Sequence, residues 1–322
     1  MSRRLALNVE ERQLRVTQRA RVGSLSDNRV SASTLERYRL AVHRFLDWME
    51  CESLEAATWP KLEKLLMRYI EELWATGEGK TLANNTLSGV QHYLNTRRQM
   101  PGAWALLTTW GRLEVPARAP PVSRDLALAL AGEACEQGRE DFATLILLAF
   151  HCYLRPSELL RLGKSTIALG KTGAGVLSLE WTKVGQQKGA KETVRVEDQL
   201  VLFWLRRRLA GQSSGTLLLQ SSPYSFRKFL ADGFKKLGVE HHGYMPYSLR
   251  RGGATHDFLV HRDIARCLFR GRWADVRTGR IYIMDGAARM AELQTSPSAM
   301  KLIRLGVSKL HRHSAFVAFS IT

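Results

Sequence analysis

Residues 114–123 read Glu-Val-Pro-Ala-Arg-Ala-Pro-Pro-Val-Ser, and no other stretch limits the architecture as much. Each proline lacks a backbone N–H and drives the residue before it out of the helical region, so neither a regular helix nor an interior strand crosses this stretch. In a chain of 322 residues the break leaves two segments, each long enough for a core of its own. Upstream the apolar residues recur only at helical spacing. Downstream helical and alternating patterns are mixed.

The upstream segment predicts four short amphipathic helices, the makings of a small bundle. Ser33-Thr-Leu-Glu36 has capping-box spacing, and Leu35, Tyr38, Val42, Phe45 and Met49 form the stripe behind it. Arg37, Arg39 and Arg44 fall largely off that stripe, toward solvent or phosphates. A second helix starts at Pro60, with Leu62, Leu66, Tyr69 and Leu73 inward, and ends at Gly77 and Gly79. A third spans about 82–98 (Leu87, Val90, Tyr93, Leu94) and finishes in Arg97-Arg98; a fourth spans about 102–113 with Trp104, Leu107 and Trp110. The aromatic residues are read as core. Residues 1–30 carry no strong stripe and are expected to form a basic, loosely ordered and partly helical arm. The expected division is therefore 1–30, 31–113, a linker over 114–123, and 124–322.

Lys plus Arg number 48 against 30 Asp plus Glu, for a net charge of +18 and an isoelectric point near 10.2. Such an excess favours a polyanionic partner, nucleic acid above all. A membrane surface fits less well, because the charge is spread along the chain rather than gathered beside an apolar helix. Cys51, Cys135, Cys152 and Cys267 are far apart and form no C-x-x-C pair, which suggests neither a zinc site nor a disulfide framework. The N-terminus lacks a signal-peptide apolar core, and no run approaches the ~18 apolar residues of a membrane span. A soluble, intracellular protein in a reducing compartment is expected.

Beyond the linker, 124–137 and 140–152 read as helices, the second apolar on nearly every face and therefore buried. It delivers Arg155 in Tyr153-Leu-Arg-Pro-Ser-Glu158. An arginine there needs an anion, either Glu158 or an external phosphate. Val176–Trp181 and Glu192–Val196 alternate as strands, and the loop between them carries Lys183, Lys188 and Lys191. Helices over 198–210, ending in Arg206-Arg-Arg208, and over about 223–237 follow. From Arg250 to Arg280 eight arginines face three acids, Asp257, Asp263 and Asp275. Tyr282 follows the Gly-Arg-Trp turn at 271–273 by nine positions. Fixed positive charge beside a phenol suits attack on a phosphodiester, with guanidiniums on the phosphate oxygens and the phenol oxygen making the bond. A helix over 285–301 and an apolar segment 315–319 close the chain, the latter either docking on a neighbouring protomer or packing on its own domain.

Arg155 with Glu158, Lys183 after the strand, Tyr247-Ser-Leu-Arg250, Trp273 and Tyr282 together resemble, in order and spacing, the active-site boxes of the tyrosine recombinases. The resemblance spans roughly residues 150–285. It implies a mainly α fold with a small β-hairpin or sheet: an N-terminal helical, core-binding-like bundle followed by an α+β catalytic domain. It implies a strand transferase in which Tyr282 forms a 3′-phosphotyrosyl link. Arg155 and Arg250 would neutralise the phosphate, Lys183 would protonate the leaving 5′ oxygen, and Trp273 would donate its indole N–H. Lys188 or Lys191 are alternatives to Lys183. Arg251, Lys188, Lys191 and Arg272 would contact DNA. No cofactor or metal is implied, and the partners would be double-stranded DNA and further copies of the chain, as dimer or tetramer. The compartment would be the nucleus in a eukaryote and the cytoplasm otherwise. Tyr247 stands where the family most often has His; its phenol can donate a hydrogen bond to the phosphate but is a poor proton acceptor near neutrality, a task that His241, His242 or His256 could take if the fold brings one close. The Thr-Lys, Tyr-x-x-Arg-Arg and Gly-Arg-Trp motifs look closest to enzymes of eukaryotic mobile elements. A type IB topoisomerase and a recombinase-derived, non-catalytic DNA-binding protein share the same features.

Overall fold

The structure is a computed structural model that describes residues 8–25, 27–96, 99–115, 118–170, 173–180 and 192–318. The chain divides into two compact units, Met1–Ala117 and Arg118–Thr322.

The first unit contains α1 (Val9–Val22), α2 (Ala32–Cys51), α3 (Trp59–Ala75), α4 (Lys80–Tyr93) and α5 (Pro101–Leu113). Phe45, Leu66, Tyr69, Ile70, Leu87, Leu107 and Trp110 form its core, as the apolar stripes require. Helix α2 crosses α4 at Gly89, where a Cβ would meet Val42 Cγ2 at 2.7 Å. Several details differ from the sequence reading. The cap of α2 is Ser31, whose hydroxyl accepts from the Thr34 amide, rather than Ser33. Helix α4 stops at Tyr93 because Asn95 turns left-handed (φ 53°), and Tyr93 and Leu94 are exposed instead of buried. Trp104 also faces outward, while Trp110 meets Trp74 edge-on at 5.2 Å. Asn8 caps α1 by accepting from the Glu11 amide, and Glu10 and Glu11 at its start with Arg19 and Arg21 at its end complement the helix dipole, although α1 buries no residue.

The second unit begins inside the proline stretch. The Val122 amide donates to the Ser248 carbonyl at 3.3 Å, which joins this half of the linker to the unit that follows. Helices α6 (Arg124–Glu136) and α7 (Glu140–His151) are buried along most of their length. After the single turn α8 (Pro156–Leu159) comes an antiparallel sheet in the order β1 (Ile167–Leu169), β2 (Gly175–Leu179), β3 (Glu192–Val196). Leu177 pairs with Ile167 on one side and Val194 on the other, and Leu179 pairs with Glu192. Alternation puts Leu177, Leu179, Val194 and Val196 in the core. Strand β1 escaped the sequence reading, since three residues carry no usable period.

Helices α9 (Gln199–Leu209), α10 (Pro223–Lys236), α11 (Pro246–His261), α12 (Ile264–Gly271), α13 (Val276–Tyr282), α14 (Asp285–Gln294) and α15 (Pro297–Ala318) complete the unit. The expected single helix over 285–301 is two helices, broken ahead of Pro297. Helix α15 crosses α6 so closely that a Cβ on Gly132 would lie 2.0 Å from the Gly306 carbonyl oxygen. Leu310 is buried there, and Lys309 donates to Glu133 at 2.5 Å. The last helix therefore packs on its own unit as far as it is described; the side chains of 316–319 lie outside the described residues. A second close crossing sets up the site. On α11 a Cβ at Gly253 would fall 1.8 Å from the Phe150 carbonyl oxygen, so this glycine lets α11 lie against the end of α7. No helix among the described residues is long and apolar enough to cross a membrane.

Candidate active site

Tyr153 follows α7 in the left-handed conformation (φ 47°), and this turn brings Arg155 to the start of α8. The Arg155 amide donates to Glu158 Oε2 at 2.9 Å and its Nη1 to Oε1 at 2.5 Å. Arg155 thus has the nearby acid as its partner in this structure. The same carboxylate accepts from Arg272 Nη2 at 2.7 Å and lies 3.8 Å from Arg250 Nη1. Burial alone would push the Glu158 carboxyl up, but Arg272, the Arg155 amide and guanidinium, and Arg250 together hold it below its ordinary value. Glu158 is the counterion shared by three arginines. The sequence showed only its pairing with Arg155.

Arg250 is completely buried. Its Nη1 donates to the Tyr153 carbonyl and its Nη2 to the Gly271 carbonyl at 3.0 Å, while Nε has no partner. Burial, reinforced by Arg272 and Arg155, lowers its pKa to about 10, so it remains a cation near neutrality. Its guanidinium carbon lies 5.3 Å from the Trp273 ring centre and 5.1 Å from that of Tyr282. Arg251, expected from the sequence as a DNA contact, is buried beside Arg250. It is 7% exposed, donates to the Ala119 carbonyl at 2.8 Å, and lies 5.8 Å and 6.0 Å from the rings of Tyr247 and Tyr282.

Asp275 caps α13 through the Thr278 amide at 2.7 Å, and this short helix carries Tyr282 as its last residue. Thr255 on α11 pins that end, donating to the Tyr282 carbonyl at 3.3 Å and accepting from the Met284 amide at 3.1 Å. The Tyr282 ring stacks on Trp273 with centres 4.6 Å apart and planes 16° from parallel. The buried Trp273 Nε1 has no partner. The hydroxyls of Tyr282 and Tyr247 share a hydrogen bond of 2.9 Å. Burial and this bond raise the Tyr247 phenol above its ordinary value against the pull of Arg250 and Arg155, so Tyr247 keeps its proton near neutrality. None of the three proposed histidine substitutes is described at the phenols: His256 lies against Phe150, His241 against His242, and His242 also against Tyr244.

Arg155, Arg250, Tyr247, Trp273 and Tyr282, distant in sequence, are thus brought together, with Arg251 and Arg272 at the margins. Lys183, Lys188 and Lys191 lie outside the described residues. Sequence reasoning missed the partners of Arg272, which is 8% exposed at its side chain and paired with Glu158 rather than open to solvent. It also missed Asp257, which gathers Arg266 and Arg270, each at 3.2 Å. The three acids in the arginine-rich stretch were the available signal for that cluster.

No protein-family model and no curated protein sequence matches this chain. Solved structures do. The chain is similar to XerH site-specific recombinase bound to palindromic difH substrate in a post-cleavage complex, with 16% identity over 81% of this chain and 78% of that one and a TM-score of 0.53. It is similar to the Tn1549 transposon integrase in complex with transposon right end DNA, with 12% identity, 87% and 98% coverage and a TM-score of 0.55. A lambda integrase dimer bound to a core site gives 14% identity, 86% and 76% coverage and a TM-score of 0.53. The fold is therefore that of the tyrosine recombinases, mainly α with one small sheet, as the motifs implied.

Proposed function

We propose that this chain is a DNA strand transferase that breaks and rejoins double-stranded DNA through a 3′-phosphotyrosyl intermediate. The observation that carries the reading is the Tyr282 phenol, stacked on Trp273 and held beside Arg250, itself within the arginine cluster that shares Glu158. The Tyr282 oxygen attacks the scissile phosphorus, its proton leaves to water, and the P–O5′ bond breaks as the 5′ oxygen takes up a proton. Arg155 turns from Glu158 to the phosphate, and Arg250 supplies fixed charge from beneath it. The unpartnered Trp273 Nε1 suits a non-bridging oxygen. Tyr247 orients the nucleophile but does not serve as its base. Lys183 is assigned the proton to the leaving group, with Lys188 or Lys191 as alternatives, and Arg251 the outer phosphate field. The link conserves the energy of the broken bond, so a 5′ hydroxyl reverses the step on another strand.

The substrate class follows the fold neighbours, whose structures hold DNA. Assembly as dimer or tetramer on paired sites belongs to the same reading and separates it from a topoisomerase, which reseals the strand it cut. Placement among eukaryotic mobile elements, and with it the nucleus, rests on the motifs alone.

One observation favours a different reading. Arg250 is fully buried and spends both Nη groups on carbonyls, as a purely structural arginine in a DNA-binding protein would. Nicked suicide DNA decides between them. The strand transferase leaves a covalent protein–DNA adduct that Tyr282→Phe abolishes and Tyr247→Phe retains. A chain that binds the same DNA and never forms an adduct is the binder.

A further inference from the structure

We infer that Thr255 is a positioning residue for the nucleophile: its hydroxyl ties the backbone at Tyr282 to the helix that carries Arg250, and so sets where the phenol oxygen stands when it meets phosphorus. The inference rests on the strand-transfer reading and deepens it, adding a residue that none of the sequence motifs includes.

Thr255 lies inside α11 and is buried. A threonine hydroxyl within a helix ordinarily bonds the carbonyl one turn back. This one reaches another element instead. It donates to the Tyr282 carbonyl at 3.3 Å and accepts from the Met284 amide at 3.1 Å. Those two groups bracket the turn from α13 into α14, where Ile283 and Met284 are the residues between the helices. One oxygen thus uses its proton and a lone pair to hold both sides of the turn.

Helix α13 has seven residues, too few to keep its shape alone, so the place of Tyr282 depends on tertiary contacts. The stack on Trp273 and the hydroxyl bond to Tyr247 hold the ring. The Thr255 bracket holds the backbone. The bond to Tyr247 engages the very oxygen that reacts, so it changes as that oxygen turns to phosphorus. The bonds to Thr255 involve no reacting atom and persist through the attack. Helix α11 carries Tyr247, Arg250 and Thr255, and its close crossing of α7 at Gly253 falls between the last two. The phosphate clamp and the nucleophile are therefore referenced to one rigid element, the arrangement that a reacting geometry requires.

The test separates placement of the nucleophile from general damage to the site. Thr255→Val keeps the branched shape and removes both bonds, whereas Thr255→Ser keeps the hydroxyl. The full chain is assayed for affinity to an intact duplex, for the single-turnover rate of adduct formation on nicked suicide DNA of the same sequence, and for resealing of the isolated adduct by a 5′-hydroxyl strand. Thr255→Val is expected to bind the duplex as wild type does and to form adduct on the order of ten- to a hundredfold more slowly, the scale of a misplaced reacting group. Its resealing should stay close to the wild-type rate, because the covalent bond already holds the phenol oxygen on phosphorus. Thr255→Ser should restore adduct formation. Equal slowing of both steps would mark a loosened site and overturn the inference. So would wild-type adduct formation by Thr255→Val, or failure of both variants alike. If wild type binds the DNA and forms no adduct, strand transfer itself fails and the inference falls with it.

Discussion

The two units of this chain handle charge in opposite ways. In the first, the ion pairs lie outside an apolar core: Arg44 with Glu78 at 2.8 Å and Arg68 with Glu52 at 2.5 Å leave every partner at least 39% exposed. In the second, Glu158 is 1% exposed and Arg250 0% at the side chain, with Arg272 at 8%. Exposed pairs contribute little, because water screens them and long side chains lose freedom in forming them. Buried charges are different. Each desolvated ion depends on its partners, and removing one leaves the others uncompensated. The first unit therefore tolerates loss of a charge, whereas the three-arginine cluster of the second is balanced around Glu158. That balance suits a phosphate, which brings the further negative charge a three-arginine cluster lacks.

The largest expected effect tests the balance directly. Glu158→Gln keeps the shape of the side chain and removes the charge facing Arg155, Arg250 and Arg272. Loss of one partner from a buried ionic cluster costs about 3–5 kcal/mol. Chemical denaturation of the full chain should show a transition of the second unit shifted by that amount, with the transition of the first unit unmoved. A shift no greater than that of a surface pair would mean that the three guanidiniums find other anions or water, and the contrast between the units would fail.

A smaller effect, of predictable sign, comes from pH. The folded Glu158 carboxyl is held below its ordinary value of 4.5, so its ionised form stabilises the fold. That contribution is complete above 4.5 and is lost as pH falls through the depressed folded value. The stability gap between wild type and Glu158→Gln should therefore be constant near neutrality and narrow only in acid. A gap that widened on acidification would require a raised Glu158 pKa and contradict the assigned surroundings.

The same contrast explains what could be read from the sequence. A core of apolar stripes declares itself in periodicity, and Phe45, Leu66, Tyr69, Leu87 and Trp110 occupy the interior as their spacing demanded. The stripe gave no warning at its margins. Tyr93, Leu94 and Trp104 look like core, but α4 ends too early and α5 turns too far to bury them. In the second unit, the resemblance in order and spacing to the tyrosine-recombinase boxes singled out Arg155, Arg250, Trp273 and Tyr282. Their connections were not legible. The Tyr247–Tyr282 hydrogen bond joins positions 35 residues apart, and Arg272 reaches Glu158 over 114. Both depend on the close approach of α11 to α7 at Gly253 and on left-handed turns at Tyr153 and Arg272, which no local pattern announces.

The smallest expected effect closes the comparison from the other side. Arg44 and Glu78 join α2 to the turn after α3, 34 residues apart, so their bond is tertiary rather than a contact within one helix. If distance along the chain were what made the buried cluster strong, this pair should be strong too. Exposure argues otherwise, since both side chains remain hydrated whether or not they touch. A double-mutant cycle with Arg44→Gln and Glu78→Gln should give a coupling of about 0–1 kcal/mol. Added salt should reduce that coupling further, while the cost of Glu158→Gln changes little, because mobile ions do not reach a buried carboxylate. A coupling at Arg44–Glu78 comparable to the Glu158 effect would show that desolvation is not what separates the two units.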